Sequence, residues 1–303
     1  MSYGLLIDTT KCVGCRGCQV ACKQAKDLAA DDTGFRPIRT NPPDLTARTW
    51  SLVEFHEVPK AGTRLAWRFV KRQCMHCLEP ACVSVCPVAA LQKSVEGAVI
   101  YHANRCIGCR YCMTACPFNV PKYEWSSAAP LVRKCILCGE RLAQGNQPAC
   151  AKACLTGAVK YGDREALLAE AHGRIAAQPD RYIDHVYGEH EVGGTAVLYL
   201  ADVAFASIGF PASLPLFPLP SKTWAVMSLV PGIAGGSAAL MTFAYLITRR
   251  QRGMEHRAVA AASESLRGAS FAPKQSPAPG ESEIASHKPL AMTPADPPQE
   301  VQG

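Results

Sequence analysis

The sequence predicts an α+β domain built around clustered cysteines, followed by a single C-terminal transmembrane helix and a tail. Three observations lead to this prediction. The cysteines fall into groups, strand-like and helix-like segments separate these groups, and one long apolar run follows them. We expect, in order, the cysteine-bearing domain, an extended connector, the transmembrane helix, and a basic flank with a disordered tail. The predicted bounds of these four parts are 1–195, 196–222, 223–248 and 249–303.

The sixteen cysteines form four groups of four with related spacings. Groups one and three are spaced C-x2-C-x2-C-x3-C, group two C-x2-C-x4-C-x3-C, and group four C-x2-C-x11-C-x3-C. The groups are Cys12, Cys15, Cys18 and Cys22; Cys74, Cys77, Cys82 and Cys86; Cys106, Cys109, Cys112 and Cys116; and Cys135, Cys138, Cys150 and Cys154. An internal repeat of this kind indicates one type of site built several times.

Local patterns between the groups predict short strands and one capped helix. The segments predicted as strands are 50–58, 97–102 and 157–162. Asp163 directly precedes the apolar-periodic stretch 164–178, so we expect it to cap a helix there. Residues 193–220 are apolar, but Asp202 and several prolines interrupt them. We therefore expect a strand followed by an extended connector in this region.

The most apolar segment is 223–248, which has 26 residues and no charge. About 20 such residues are enough to cross the hydrocarbon core of a bilayer. Trp224 and Tyr245 lie near its two ends, where interfacial aromatic side chains are common. Pro231 is expected to kink the helix. The segment predicts an anchor in the lipid bilayer.

Charge and motif content exclude two function classes. The net charge is +7, but lysine and arginine are scattered along the chain instead of being concentrated on one stripe. This pattern argues against a nucleic-acid partner. The sequence contains no nucleophile paired with a base, no phosphate-binding loop and no paired carboxylates. We therefore expect a chain without a catalytic site of its own.

The cysteine spacing allows three interpretations. Disulfide scaffolds are usually shorter than about 80 residues, and zinc knuckles pair two C-x2-C units across a longer loop, which only group four resembles. The run C-x2-C-x2-C-x3-C-P instead gives three thiolates to one [4Fe–4S] cube and the fourth to a second cube. Pro87 and Pro117 end two of these runs, and a proline there turns the chain away. Four [4Fe–4S] clusters are the favoured interpretation.

The amino-acid sequences of several segments resemble those of a known family. "QCMHC", "PACVSVCPV" and "CIGCRYCMTACPFNVPKY" in groups two and three resemble the iron–sulfur subunits of membrane molybdenum-enzyme complexes. "NPPDLTARTW", "GGTAVLYL" and the single C-terminal span are similar to the β subunits of respiratory formate dehydrogenases. The segments around groups two and three also resemble the iron–sulfur subunits of quinone-linked uptake hydrogenases. The resemblance covers about residues 3–250.

This resemblance implies two ferredoxin-like double-[4Fe–4S] units that form one cluster domain. Groups one and four would form one unit, and groups two and three the other. The implied ligand sets are Cys12, Cys15, Cys18 with Cys154; Cys135, Cys138, Cys150 with Cys22; Cys74, Cys77, Cys82 with Cys116; and Cys106, Cys109, Cys112 with Cys86.

The resemblance also implies a function and partners. Electrons would pass from a formate-oxidising molybdenum or tungsten catalytic subunit, beside the first cluster, to a membrane cytochrome b, beside the last, and then to quinone. The same role beside a nickel–iron hydrogenase remains an alternative. A membrane-anchored zinc-binding assembly protein remains an alternative from another class.

Four residues beside the cluster cysteines have two possible roles each. Arg16, Arg110 and Lys134 could raise a reduction potential, or they could be solvated or face a partner subunit. We interpret His76 as a packing residue in preference to a ligand.

The flanks of the apolar segment predict its orientation. Arg249, Arg250, Arg252 and Arg257 follow it, while only Lys222 closely precedes it. Positive residues are retained on the cytoplasmic side. We therefore expect an inner-membrane protein with a cytoplasmic C-terminus and a periplasmic cluster domain. Because "MSYGLLIDTTKC" lacks a secretory signal, we expect export of the folded chain on a catalytic subunit with a twin-arginine signal.

Overall fold

The computed structural model describes residues 2–32, 34, 39–60 and 63–268. The strands in these residues are β1 (Tyr3–Asp8), β2 (Leu52–Lys60), β3 (Thr63–Arg72), β4 (Leu91–Lys93), β5 (Val99–Tyr101), β6 (Lys122–Tyr123), β7 (Val132–Arg133), β8 (Val159–Asp163) and β9 (Val197–Leu200). The α-helices are α1 (Gly17–Ala25), α2 (Ala81–Ser84), α3 (Tyr111–Ala115), α4 (Gly139–Ala143), α5 (Ala149–Lys152), α6 (Arg164–Ala177), α7 (Leu219–Met227) and α8 (Val230–Gly268). This mixture confirms the predicted α+β class.

The central sheet has the order β8-β1-β9, with β1 antiparallel to β8 and parallel to β9. Successive residues of a strand point to opposite faces. Leu5 and Ile7 accordingly belong to the main core, while Leu6 packs in a second core with Leu198 and Leu200. The sheet therefore separates two apolar layers, and β1 leads from it directly into the first cysteine group.

Helix α6 covers the second layer and begins at the predicted cap. The Asp163 carboxylate accepts hydrogen bonds from the backbone N–H groups of Glu165 and Ala166, at 3.1 and 3.2 Å. These N–H groups have no partner inside the helix, so the cap stabilises its first turn. The apolar side chains that α6 buries recur every four residues and are Leu167, Ala171 and Ile175, and Arg164 at its first position is also buried.

Three antiparallel hairpins complete the cysteine-bearing part: β2–β3, β4–β5 and β6–β7. The strand predicted over 50–58 is observed two residues later, as β2. Its pairing starts where Leu52 faces Arg72. Trp50 lies before the ladder, and its indole N–H donates to the Ala47 carbonyl oxygen at 2.7 Å. The strands predicted over 97–102 and 157–162 correspond to β5 and β8.

The fold does not end at residue 195, where the sequence placed the start of an extended connector. Strand β9 pairs with β1 inside the central sheet, and Phe205 and Ile208 beyond it are buried, with 6% and 0% exposure. The apolar run of β9 pairs with β1, which is far away in the chain, and Tyr199 also forms a bridge with Tyr187. The connector begins only after these buried residues.

Helices α7 and α8 carry the predicted membrane segment, and Leu219–Ser265 is long and apolar enough to cross a membrane. The helix is interrupted at residues 228 and 229, as expected because Pro231 lacks the N–H that would continue the ladder. Helix α8 runs to Gly268, so the predicted flank is helical as far as that residue. Strong helix formers such as alanine extend an existing helix at little cost. Residues 269–303 of the predicted tail lie outside the described residues.

Candidate iron–sulfur cluster sites

Each cysteine group lies beside strands of the sheet or hairpins. Strand β1 leads into group one, β3 into group two, β5 into group three and β7 into group four; β4, β6 and β8 follow the last three groups. The third cysteine of each group lies on a short helix: Cys18 on α1, Cys82 on α2, Cys112 on α3 and Cys150 on α5. Every one of the sixteen cysteines is a free thiol. The four groups are therefore repeated local structures, as their spacing predicted.

The residue before the second cysteine is left-handed in all four groups. Its φ is +68° at Gly14, +50° at His76, +70° at Gly108 and +53° at Leu137. A left-handed residue lets neighbouring backbone N–H groups converge, which makes concavities that bind anions and iron–sulfur centres. This conformation costs a non-glycine residue about 1–2 kcal/mol. His76 and Leu137 are held in it by burial, with 0% and 1% exposure.

Backbone N–H groups point at several of the thiols. The Gly108 and Leu137 N–H groups donate to the Sγ atoms of Cys106 and Cys135, both at 3.4 Å. Behind the fourth cysteines, the Ala90 N–H donates to Cys86 Sγ at 3.2 Å. The Val159 N–H donates to Cys154 Sγ in the same way, at 3.3 Å. Hydrogen bonds of this kind favour the thiolate over the thiol, and a thiolate is the form that binds metal.

Groups one and four are brought together because α1 packs against α5. Burial raises the pKa of Cys12, the Gly14 N–H lowers it, and the nearby Cys154 and Cys15 thiols raise it again. Cys18 also has Cys12 and Cys154 among its interacting thiols. We call this set site 1; its members are Cys12, Cys15, Cys18 and Cys154.

A second set forms from the remaining cysteines of the same two groups. Burial raises the pKa of Cys22 to about 12; Lys71 opposes this rise, and Cys150 and Cys138 add to it. Burial also raises the pKa of Cys135, and among the thiols Cys22 raises it most. We call this set site 2; its members are Cys22, Cys135, Cys138 and Cys150.

Groups two and three are brought together by the packing of α2 against α3. Burial raises the pKa of Cys77, and Cys74, Cys116 and Cys82 raise it further. Site 3 is this set: Cys74, Cys77, Cys82 and Cys116.

Burial raises the pKa of Cys112 to about 11, and the thiols of Cys106, Cys109 and Cys86 contribute to this rise. Site 4 is Cys86, Cys106, Cys109 and Cys112, and these four thiols line one cavity.

Interacting thiols link the four sites one to the next, in a sequence that we call the row. Cys18 of site 1 interacts with Cys150 of site 2, and Cys135 of site 2 with Cys74 of site 3. Site 3 continues to site 4 through Cys82 and Cys112. Two thiols are exposed, Cys15 in site 1 and Cys109 in site 4. The exposed thiols therefore belong to the first and last members of the row.

The donor set fits a four-iron cluster better than a single zinc ion. Among the described residues, no three cysteine, histidine or carboxylate side chains converge closely enough to hold one metal ion. Zinc needs its ligand atoms at about 2.0–2.3 Å. A [4Fe–4S] cube needs one thiolate for each of its four separated irons, so its ligands stand further apart. Four-membered sets of unpaired thiols with N–H donors match the second requirement.

The residues beside the cysteines have different surroundings. His76 is fully buried, and its Nδ1 accepts a 2.9 Å hydrogen bond from the Val99 N–H, consistent with the predicted packing role. Arg16 lies over the Phe55 ring at 4.8 Å. Arg110 is exposed and lies over Tyr123 and Trp125, at 5.5 and 5.3 Å. These three side chains have aromatic or backbone partners.

Lys134 is buried, with 3% exposure, and its ammonium donates to the carbonyl oxygens of Val99 and Cys135 at 2.6 and 3.0 Å. A second buried lysine, Lys71 on β3, was not singled out by the sequence. Burial lowers the pKa of Lys71, but surrounding thiols reverse the effect and leave the pKa above its ordinary value. Nothing in the stretch "WRFVKRQC" distinguishes Lys71 from its exposed or ion-paired neighbours.

Comparison with known proteins gives two matches to the description "4Fe-4S dicluster domain", over residues 11–90 and 65–164. The chain is 36% identical over 251 residues to the formate dehydrogenase iron–sulfur subunit of Haemophilus influenzae, covering 80% of this chain and 79% of the relative. It is 38% identical over 240 residues to the hydrogenase-2 operon protein HybA of Escherichia coli O157:H7, covering 69% and 73%. It is 39% identical over 198 residues to the nitrate-inducible formate dehydrogenase iron–sulfur subunit of Escherichia coli K12, covering 64% and 66%.

These identities extend over most of the chain, and the matched dicluster domains contain all four cysteine groups. Two matches to dicluster domains agree with the prediction of ferredoxin-like double-cluster units in one domain. The chain belongs to the family of iron–sulfur subunits of formate dehydrogenases and their hydrogenase relatives, and it is an electron-transfer protein of the [4Fe–4S] type.

Proposed function

We propose that the chain relays electrons through four [4Fe–4S] clusters, from a formate-oxidising molybdenum or tungsten subunit to a membrane cytochrome b and quinone. The observation that carries this proposal is the row of four thiol sites with exposed thiols in its first and last members. A relay needs redox centres close to one another and access for a partner at each end. The row has both properties.

The proposed ligands are the four-membered sets described above, each with three cysteines from one group and one from another. Site 1 is held by Cys12, Cys15, Cys18 and Cys154, and site 2 by Cys135, Cys138, Cys150 and Cys22. Site 3 is held by Cys74, Cys77, Cys82 and Cys116, and site 4 by Cys106, Cys109, Cys112 and Cys86. The packing of α1 on α5 and of α2 on α3 supports this crossed arrangement.

The chain itself contributes position and environment. When bound, each cluster would accept and return one electron. The protein holds the thiols in a row, donates N–H groups to several of them and buries seven of the sixteen. Oxidation of formate to carbon dioxide releases one proton and two electrons, and quinone takes up two electrons and two protons. The chain carries these electrons one at a time and performs neither reaction.

The two exposed thiols suggest where the partners bind. We place the catalytic subunit at Cys15 in site 1 and the cytochrome b at Cys109 in site 4. Hydrophobic side chains are exposed beside both thiols, namely Val13 at 60% and Ile107 at 65%. Exposed apolar side chains next to a redox site are consistent with surfaces that a partner covers.

The long apolar helix supports a membrane anchor. We propose that Leu219–Ser265 contains one inner-membrane span. Arg249, Arg250, Arg252 and Arg257 follow the apolar segment, and they favour a cytoplasmic C-terminus and a periplasmic cluster domain. Export of the folded chain together with its catalytic subunit is part of this proposal.

A nickel–iron hydrogenase as electron donor is a second candidate, because the hydrogenase-2 operon protein HybA is as similar to this chain as the formate dehydrogenase subunits are. The test is to purify the membrane complex anaerobically through a tag on this chain and add formate or hydrogen separately. We expect formate to bleach the visible absorbance of the clusters and to produce their reduced EPR signals. Reduction by hydrogen alone would establish the second candidate. Reduction by dithionite but by neither substrate would contradict both donors.

A further inference from the structure

Lys71 is a buried cation whose partners are the thiols of two cluster sites. It lies near the end of β3 with 1% exposure. Its ammonium donates a hydrogen bond to the Gln73 side-chain oxygen. The charged groups that act on it most strongly are the four thiols Cys150, Cys18, Cys135 and Cys22. Among the described residues, no carboxylate forms an ion pair with it.

These four thiols come from both sites of one unit. Cys18 belongs to site 1, and Cys22, Cys135 and Cys150 belong to site 2. The hairpin that carries Lys71 also contacts the helix that bears Cys18 and Cys22, because Val53, which faces Lys71, donates its N–H to Gln19 Oε1 on α1 at 3.2 Å. The lysine therefore acts on both sites at once.

A buried ammonium without a counterion is costly, because the interior replaces little of the solvation that water provides. Lysine has three N–H donors, and the Gln73 oxygen takes one of them. The remaining donors and the charge need negative partners, and ligated clusters with their thiolates are negative. The thiolates of sites 1 and 2, with the clusters they would hold, supply the negative charge that the Lys71 ammonium lacks.

The backbone around Lys71 fixes its position. The residue faces Val53 in the β2–β3 hairpin, and its carbonyl oxygen accepts a 2.6 Å hydrogen bond from the Tyr199 hydroxyl on β9. Both contacts come from elements of the main core. These contacts fix the backbone of Lys71, and the residue is buried with 1% exposure.

We propose that Lys71 is the shared countercharge of sites 1 and 2 and raises the reduction potentials of both clusters. This inference rests on the ligand sets proposed above. Reduction adds one negative charge to a cluster, and a nearby buried positive charge stabilises that charge more strongly than an exposed one. Sites 3 and 4 share none of the four thiols that act most strongly on Lys71, so its influence there is smaller.

The test is a redox titration of the anaerobically purified complex, followed by EPR, with Lys71→Gln and Lys71→Met compared with the unaltered protein. Iron is measured first. In both variants we expect the clusters of sites 1 and 2 to be harder to reduce. At the potential where each is half reduced in the unaltered protein, the ratio of oxidised to reduced cluster should rise at least tenfold, equivalent to about 59 mV for one electron. The signals of sites 3 and 4 should shift by less than threefold.

Lys152→Gln is the matched control, because Lys152 lies on α5 between Cys150 and Cys154 but is exposed. Water screens its charge, so we expect less than a threefold change. Lys71→Arg, which keeps the charge, should stay within threefold of the unaltered protein. A purely structural role for Lys71 would not produce this dependence on charge.

Three outcomes would overturn the proposal: unchanged ratios in iron-replete Lys71→Gln, equal shifts at all four sites, or a shift in Lys152→Gln as large as that in Lys71→Gln. If neither neutral variant assembles with its clusters, the proposal requires that Lys71→Arg assembles, because this variant keeps the positive charge. Failure of Lys71→Arg to assemble as well would overturn the proposal. Absence of iron from the unaltered protein would instead contradict the proposed function. The two ideas are thus tested separately.

Discussion

The Tyr199 hydroxyl donates a 2.6 Å hydrogen bond to the carbonyl oxygen of Lys71. Both side chains are buried, each with 1% exposure. Tyr199 lies on β9 in the central sheet, and Lys71 lies three residues before Cys74 on β3. The bond therefore joins the sheet to the strand that leads into group two, and it fixes the backbone of the buried lysine.

Replacing Tyr199 with phenylalanine should destabilise the contact between the central sheet and β3. The change leaves the Lys71 carbonyl oxygen buried without its donor, which costs about 1–3 kcal/mol. We expect a lower urea midpoint under anaerobic conditions, measured by loss of cluster absorbance. Tyr161→Phe is the control, because Tyr161 is partly exposed and stacks on Tyr3. An equal loss in both variants would show that the bond to Lys71 is not the cause.

Gly4 and Gly173 should respond in opposite directions to alanine. A Cβ at Gly4 would lie 2.2 Å from the Ala196 carbonyl oxygen, so β1 and β9 would have to separate. We expect a loss of about 1–3 kcal/mol in the free energy of unfolding. A Cβ at Gly173, inside α6, has nothing within 4 Å, and removing a helical glycine should gain about 0.5–1 kcal/mol. Urea unfolding measures both, and a stable Gly4→Ala protein would contradict the described β1–β9 contact.

The crossed ligand sets predict which substitutions share a spectroscopic effect. Cys86 and Cys109 belong to one site, whereas Cys77 belongs to another. Cys86→Ser should therefore perturb the same EPR signal as Cys109→Ser, and Cys77→Ser should perturb a different one. Cys116→Ser should match Cys77→Ser. If Cys86→Ser and Cys77→Ser altered one common signal, each group would hold its own cluster and the crossed arrangement would be wrong.

The membrane orientation predicts a protease pattern. Protease added to spheroplasts should remove the cluster domain and spare a tag placed at Gly303, because the arginines that follow the span favour the cytoplasm. The same experiment on inverted vesicles should remove the tag and spare the clusters. Loss of the tag from intact spheroplasts, with the clusters protected, would reverse the proposed orientation.

The repeated spacing of the cysteines was sufficient to predict the kind of site, because cluster ligation imposes close and recurrent intervals. The spacing gave no hint that His76 and Leu137 adopt the same left-handed conformation as Gly14 and Gly108. Burial holds those two side chains in place, and burial depends on the whole fold. Local propensity favours neither residue there.

Other parts of the fold depend on contacts between distant residues. Strand β9 belongs to the core because it pairs with β1, about 190 residues earlier in the chain. The folded domain therefore extends beyond residue 195, where the sequence analysis predicted its end. Lys71 resembles Arg68 and Arg72 in sequence, but Arg68 binds Asp202 and Arg72 binds Glu54, while Lys71 is buried and donates to the Gln73 side chain. Alternation along β3 does not reveal which charged residue is buried.

Metal analysis of the anaerobically purified protein tests the central claim most directly. Each of the sixteen thiolates should bind one iron, so the chain should contain close to 16 irons and 16 acid-labile sulfides. Zinc should be present only in trace amounts, and the protein should be brown. A colourless protein with about four zinc ions and little iron would contradict the four-cluster relay and support the zinc-binding alternative.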